Sequence, residues 1–324
     1  MFNITHNNIR QVMKICTMYY FDGLNQQEIA KRIGLSRSQV CKILLAARKK
    51  EIVKISINNP YSNESQYEQK LLELFSLDDA LVVDSSGSAF DEISLKIAKS
   101  LTPLLDGLIK DGSIIGLSSG ISINKICEDL DPINKKGLSV IPLTGGGNVD
   151  RSKWQSNMSA QILAQKWNAE YYPLYAPGFV KSKESRDILL QEPSIRDVLN
   201  RAKSCDIALL GIGSVIPSAS VFASGYLSKQ DYEELNQIHA AAGICNIFFD
   251  IEGQLVPFSG HERMIGLDAS DIKKIHRRIG IGFGTSKASA ILAALKGKWV
   301  NYLVTDVQTA KQVLGLSGSV LHED

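Results

Sequence analysis

Residues 24–44 read LNQQEIAKRIGLSRSQVCKIL, the pattern of two short helices hinged on a glycine. Asn25 suits an N-cap, because its side-chain oxygen can take N–H groups that a first helical turn leaves unpaired, and Glu28 three residues later completes a near-match to a capping box. The helix continues through Ile29 and Ala30 to Ile33. Gly34 closes it, since glycine takes the left-handed conformation of a tight turn at little steric cost. Ser36 caps the next helix, which turns Val40, Ile43, Leu44 and Ala47 inward and presents Arg37, Ser38, Gln39 and Lys42 outward, followed by Arg48, Lys49 and Lys50. Upstream, Ile9, Val12, Met13, Cys16, Tyr19 and Tyr20 recur at spacings of three and four, the stripe of a further amphipathic helix over 9–21 that Asp22-Gly23 stops. Two helices about such a turn form a helix-turn-helix whose second helix fits a major groove, where Arg and Gln read base edges and lysines hold phosphates. The candidate DNA-facing set is Ser36, Arg37, Ser38, Gln39, Lys42, Arg48 and Lys49. The alternating run 52–57, IVKISI, is expected as a strand of a wing. A basic three-helix bundle with a solvated face is the plainer alternative; charge, caps, turn and length together favour the motif.

Charge separates this head from the rest of the chain. The formal net charge of the 324 residues is +2. Residues 1–60 hold ten Lys/Arg against three Asp/Glu, a balance of +7, and the remainder holds 26 against 31, a balance of −5. With 44% hydrophobic and 22% charged residues, the chain has enough apolar surface to offset the entropy of ordering, which excludes a disordered or collagen-like class. The five cysteines (16, 41, 127, 205 and 245) form no C-x-x-C pair, so neither a disulfide framework nor a metal site is expected, and they read as small core residues of a reducing compartment. No apolar run approaches the roughly 18–20 residues of a bilayer span, and residues 1–10 lack the pattern of a signal peptide, so a cytoplasmic location without membrane contact is expected.

Residues 61–77 place Tyr67, Leu71, Leu74 and Phe75 at helical spacing with Glu64, Glu68 and Glu73 outside, a connecting helix. Domains are therefore expected over 1–60 and 78–324, joined by this connector. Beyond it, strands expected over 80–84, 113–117, 138–142, 170–174, 206–211, 277–281 and 301–305 alternate with helices that include 92–108, 154–167, 229–240, 287–295 and 307–314, which predicts a doubly wound, mostly parallel α/β sheet. Such a sheet binds ligands outside the carboxyl ends of its strands. Four glycine-rich segments fall there: GLSSGIS (116–122), LTGGGN (143–148), GIGS (211–214) and GFGTSK (282–287). Exposed backbone N–H groups, hydroxyls and the lysine of the last segment at helix starts suit a small anion. Asp250, in FFDIEG, is placed equally well to bond sugar hydroxyls or to form a turn ahead of Gly253. No phosphate-loop, zinc-protease or G-x-S-x-G signature occurs, and the five histidines show no ligand spacing, so no cofactor, metal or catalytic residue is assigned.

The order of these segments, LNQQEIAKRIGLSRSQVCKIL, LFSLDDALVV, IIGLSSG, IPLTGGG, IALLGIGS, AGICNIFFDIEG and KASAILAALKGKWVNYLVTD, resembles the SorC family of bacterial sugar-responsive transcription regulators over nearly the whole chain. The resemblance implies an effector domain of the sugar-isomerase and glucosamine-phosphate-deaminase fold that binds a sugar or sugar phosphate, here expected to be of the sorbose type. It also implies a tetramer or dimer acting on double-stranded operator DNA of a carbohydrate-catabolism operon. It puts the effector's phosphate or polar end near Ser118, Ser119, Gly120, Ser122 and Lys287, and the sugar hydroxyls near Gly145, Gly146 and Asp250. Two departures are visible: many relatives have Trp where Ser118-Ser119-Gly120 stand, and Thr144 occupies the place of a lysine that forms a Schiff base in some of them. The acid cluster of the related isomerases is also missing, so binding without turnover is expected; the rival is a sugar-phosphate isomerase or deaminase with an accessory basic domain.

Overall fold

The computed structural model describes residues 4, 8–50, 52–53, 64–147, 155–217, 219–223 and 227–318, and the chain divides into two units, Met1–Tyr61 and Ser62–Asp324. In the first unit, α1 (Ile9–Tyr20), α2 (Gln26–Ile33) and α3 (Arg37–Lys49) enclose a core of Val12, Ile15, Cys16 and Met18 from α1, Ile29 and Ala30 from α2, and Val40, Ile43, Leu44 and Ala47 from α3. Fully burying each of the larger aliphatic chains contributes about 1.5–3 kcal/mol. The buried stripe of α1 is rotated from the one its spacing suggested: Ile15 and Met18 lie inside, while Met13 is 57% exposed. Ile52 and Val53 form a bend, and the rest of the expected wing strand, 54–57, lies outside the described residues, as do Asn148 and Trp154.

The second unit opens with α4 (Glu64–Phe75), then β1 (Asp79–Val83), α5 (Phe90–Leu108), β2 (Ile114–Leu117), α6 (Ile121–Asp129), β3 (Ser139–Pro142), α7 (Ser156–Lys166) and β4 (Glu170–Tyr171). It continues with α8 (Lys183–Gln191), α9 (Pro193–Lys203), β5 (Ile207–Gly211), β6 (Gly213–Ser214), α10 (Ser220–Ala223), α11 (Lys229–Gln237), β7 (Ala242–Ile244) and β8 (Ile247–Phe249). It closes with α12 (Ala269–Lys274), β9 (Arg277–Ile281), α13 (Ala288–Lys296), β10 (Tyr302–Asp306) and α14 (Val307–Leu316).

Seven strands form one sheet in the order β1-β10-β9-β5-β2-β3-β4, every pair parallel. Side chains alternate across it, as the strand period demands. On β5, Ile207 and Leu209 join the core beneath α5, α6 and α7, whereas Ala208 and Leu210 join the core beneath α4, α13 and α14. Helices thus cover both faces, the doubly wound arrangement. The edge strand β1 is shielded by α4, whose Glu68 Oε1 accepts the Val82 N–H at 2.9 Å.

Two features depart from the pattern of the chain. β4 is two residues long, not five, because Pro173 has no N–H to continue the ladder. A second, antiparallel sheet of β6, β7 and β8 lies beyond the sequence expectations, its strands of two or three residues being too short to show a period.

Candidate functional site

In the head, the caps are made as the residue pattern suggested. Asn25 Oδ1 accepts from the N–H groups of Gln27 and Glu28, both at 3.0 Å, and Glu28 Oε2 accepts from Asn25 N at 2.8 Å. Gly34 turns the chain at φ +68°. Ser36 Oγ accepts from Gln39 N at 3.2 Å and Gln39 Oε1 accepts from Ser36 N at 2.8 Å. The oxygens of Ser36 and Gln39 are therefore engaged in the cap, which leaves the Gln39 amide nitrogen to face outward. Arg37, Ser38, Lys42, Arg48 and Lys49 are exposed, and among the described residues none of these four cations forms an ion pair. Residues 29–50 contain no Asp or Glu. The result is an uncompensated positive surface along one helix.

In the body, the chain runs outward from β2 through β3 to β4 on one side, and β5 begins the other side against β2. The loops after β2 and β5 diverge at this reversal, and a crevice opens between them. Its volume is about 190 Å³, and its lining includes Ser119, Gly120, Ser122, Gly213, Ser214 and Lys287. Two helix starts meet it. α6 begins at Gly120, φ +135°, without a side-chain cap, and the turn Thr285–Lys287 that leads into α13 begins at Gly284, also without one. Gly120, Ile121 and Ser122 of the first start and Ser286 and Lys287 of the second line the same space, where the first turn of a helix leaves N–H groups unpaired. Lys287 Nζ donates to Ser122 Oγ at 3.1 Å. Burial pushes the Lys287 amine down to about 8. No Asp, Glu or His is among the lining residues, so the crevice offers donors and one cation without a counter-charge.

Two buried groups hold these loops. Ser118, 1% exposed, lies behind the lining: its Oγ accepts from Gly211 N at 2.8 Å and donates to Ser119 O at 3.3 Å, tying the β2 loop to the β5 loop. Asp306 fixes the lysine loop, with Oδ2 accepting from Gly284 N at 2.8 Å, while Oδ1 takes Ser85 Oγ at 2.8 Å and Thr309 N at 3.1 Å and Oδ2 also takes the Thr309 hydroxyl. Burial raises the Asp306 pKa, but the donors of Thr309, Gly284 and Ser85 outweigh it and hold the carboxyl below its ordinary value. Neither Asp306 nor Ser85 carries a sequence signal beyond Asp306 following a strand and preceding a helix.

Gly145, Gly146 and Asp250 do not line the crevice. Gly145 N donates to Ile265 O at 2.9 Å and Gly146 N to Ala176 O at 2.8 Å; a Cβ on Gly145 would stand 2.4 Å from Pro177 O. Close backbone packing accounts for that glycine. Asp250 Oδ1 accepts from Glu252 N and Gln254 N, both at 2.9 Å, which is the turn alternative of its two readings.

A smaller recess of about 60 Å³ adjoins the crevice, sharing Ser119, Gly213 and Ser214 and adding Cys245, Asn246 and Phe248. Cys245 (φ +51°) and Asn246 (φ +63°) are the two central residues of the β7–β8 turn, the left-handed pair that a tight hairpin requires. Asn246 is 7% exposed and its Nδ2 has no partner among the described residues. Behind Phe248, His261 Nε2 accepts the Phe248 N–H at 3.1 Å, and burial pulls this imidazole down to about 4, so it stands neutral.

Comparison with known proteins gives these two regions relatives. Residues 59–315 match the family described as "Putative sugar-binding domain", and residues 10–50 match the family described as "Sigma-70, region 4". The chain is similar to the sorbitol operon regulator of Klebsiella pneumoniae, 30% identical over 312 residues that cover 95% of this chain and 98% of that protein. It is similar also to the deoxyribonucleoside regulator of Bacillus subtilis, 28% identical over 299 residues, covering 92% and 95%. The crystal structure of the full-length Klebsiella pneumoniae regulator SorC superposes with a TM-score of 0.73 at 29% identity, covering 96% of this chain and 100% of that one.

Proposed function

Because the chain belongs to the SorC family of sugar-binding transcription regulators, we propose that it is an operon regulator whose DNA affinity is set by a phosphorylated sugar or sugar alcohol bound in the crevice around Lys287. The observation that carries this reading is the Lys287–Ser122 pair where two helix starts meet, with no carboxylate in the lining. A sugar phosphate brings the missing negative charge to donors already in place, and charge-assisted hydrogen bonds are the stronger kind. Ser119, Gly120 and Ser122 act with Lys287 on the anionic end, and Ser118 holds their loop. The adjoining recess takes the hydroxyl end, where the unpaired amide of Asn246 gains an acceptor.

The same crevice disfavours turnover, since its lining holds no carboxylate or imidazole to move a proton between carbons, and the relatives are named regulators. On the head, Arg37, Ser38, Gln39 and Lys42 face base edges, Arg48 and Lys49 face phosphates, and Ser36 secures the helix start. The protein acts in the cytoplasm on double-stranded operator DNA as a dimer or tetramer, presenting heads to half-sites about 34–36 Å apart or at multiples of that spacing. No described helix is long and apolar enough to cross a membrane.

A thermal-shift and calorimetric screen of free and phosphorylated hexoses, pentoses and hexitols tests the assignment, because a ligand that binds the native state raises its stability. Phosphorylated compounds are expected to bind, and Lys287→Ala to weaken them by about 10- to 100-fold, the range of one hydrogen bond to a charged group. Equal binding of free and phosphorylated forms, unchanged in Lys287→Ala, overturns it. Turnover of a sugar phosphate that Lys287→Ala abolishes restores the isomerase or deaminase reading.

A further inference from the structure

α3 carries an apolar side chain that the head's core does not use. Val40, Ile43, Leu44 and Ala47 are buried against α1 and α2, whereas Leu45 is 60% exposed. Residues three and four apart share a helix face, so Leu45 stands on one face with Ser38, Cys41, Lys42, Arg48 and Lys49. Of these Cys41 is half-buried and the others are exposed. A single exposed leucine on a protein surface normally needs no explanation. This one lies midway along a face ringed by cations, in a stretch of 22 residues (29–50) without a carboxylate.

The cationic rim selects a polyanion as the occupant, and the leucine selects a polyanion with an apolar group within reach of a helix face. Duplex DNA has that group on the floor of its major groove, the C5-methyl of thymine. We infer that Leu45 packs on a thymine methyl of the operator, with Cys41 one turn earlier flanking the contact, and so makes the head select a T·A pair at that position. The inference rests on α3 being the helix that enters the groove. It adds to the polar readers a contact that recognises shape and apolarity, which a lysine or arginine cannot supply.

The test uses the full chain. Duplexes are first selected from a random library by the wild type and by Leu45→Ala, a substitution that favours helix and removes no core group. Each thymine of the wild-type consensus is then replaced by uracil, which deletes only the methyl, and affinities are read by fluorescence anisotropy. One T→U position per half-site is expected to weaken the wild type about fourfold, the worth of one buried methyl-sized group. Leu45→Ala is expected to lose a similar factor on the thymine duplex, to lose nothing more on the uracil duplex, and to select sites in which that position is no longer T·A. Such non-additivity identifies a direct contact. Losses that multiply, or a wild type indifferent to every uracil, overturn the inference while leaving α3 as the reader. A Leu45→Ala change in the sedimentation of DNA-free protein also overturns it, by placing the leucine in a contact between copies. Failure of the wild type to select any consensus defeats the recognition-helix reading itself.

Discussion

Lys287 illustrates how a single residue can be legible in sequence and still need the structure to be understood. Its place after G-F-G-T-S marked a cation at a helix start, but only the fold shows it against Ser122 with its amine lowered to about 8 by burial. A bound phosphate stabilises the ammonium, so binding above that pH takes up a proton. Affinity for a phosphorylated effector is therefore expected to be greatest near pH 7, above the second phosphate pKa of about 6, and to fall as pH rises through 8 to 9.5, and Lys287→Arg, which stays charged throughout, is expected to flatten that fall; calorimetry across the range checks both. His261 gives the opposite kind of dependence. Its folded pKa of about 4 lies below its ordinary 6.5, so the unfolded chain takes up the proton first as pH falls. Stability is fully present above pH 6.5 and declines towards pH 4, by on the order of 2 kcal/mol at pH 5; denaturant unfolding at pH 7 and 5, with His261→Phe less sensitive than the wild type, measures it. Ser118 and Gly145 look like ligand groups in composition, and only the geometry shows the partner each has inside the protein, Gly211 and Ile265 respectively; of the two readings open for Asp250, the turn is the one whose hydrogen bonds are formed.

Helices of the head and strands of the large sheet were legible because local chemistry and period agree there. Asn25, Glu28 and Ser36 make the caps read from the sequence, and Gln39, read there only as an outward-facing residue, completes the second capping box. Gln39 consequently serves the cap in addition to the base contact proposed for it. Ser36→Ala is expected to destabilise the head by about 1 kcal/mol, and Gln39→Ala to lose part of its DNA affinity through the same cap; thermal unfolding of each variant separates that share from base reading. Arg37→Ala, which touches no cap, is expected to relax sequence choice, while Lys49→Ala lowers affinity uniformly and reduces the salt slope by about one; titrations at several salt concentrations distinguish them. The small sheet of β6–β8 was illegible because strands of two or three residues carry no period, yet it brings Asn246 to the recess beside Lys287. Of the two helices α8 and α9, α8 escaped because none of its side chains is buried, Ile188 among them at 63% exposure, whereas α9 does carry a stripe of Ile195, Val198, Leu199 and Ala202 that is absent from the expected helices.

At the scale of the whole chain, a near-neutral total conceals two opposed units, +7 over residues 1–60 and −5 over the rest. The head attracts a polyanion through a broad field. The body, with the opposite balance, brings one cation and two helix starts to the crevice at the reversal of its strand order, the place proposed for a small anion. Fluorescence anisotropy of the full wild-type chain on a duplex that it selects, with and without a saturating sugar phosphate that raises its melting temperature, joins the two. The expected result is a change in DNA affinity of about 5- to 150-fold, with Lys287→Ala needing at least about 10-fold more effector to reach it. DNA affinity that is the same with and without every sugar phosphate that the protein binds would contradict the central claim.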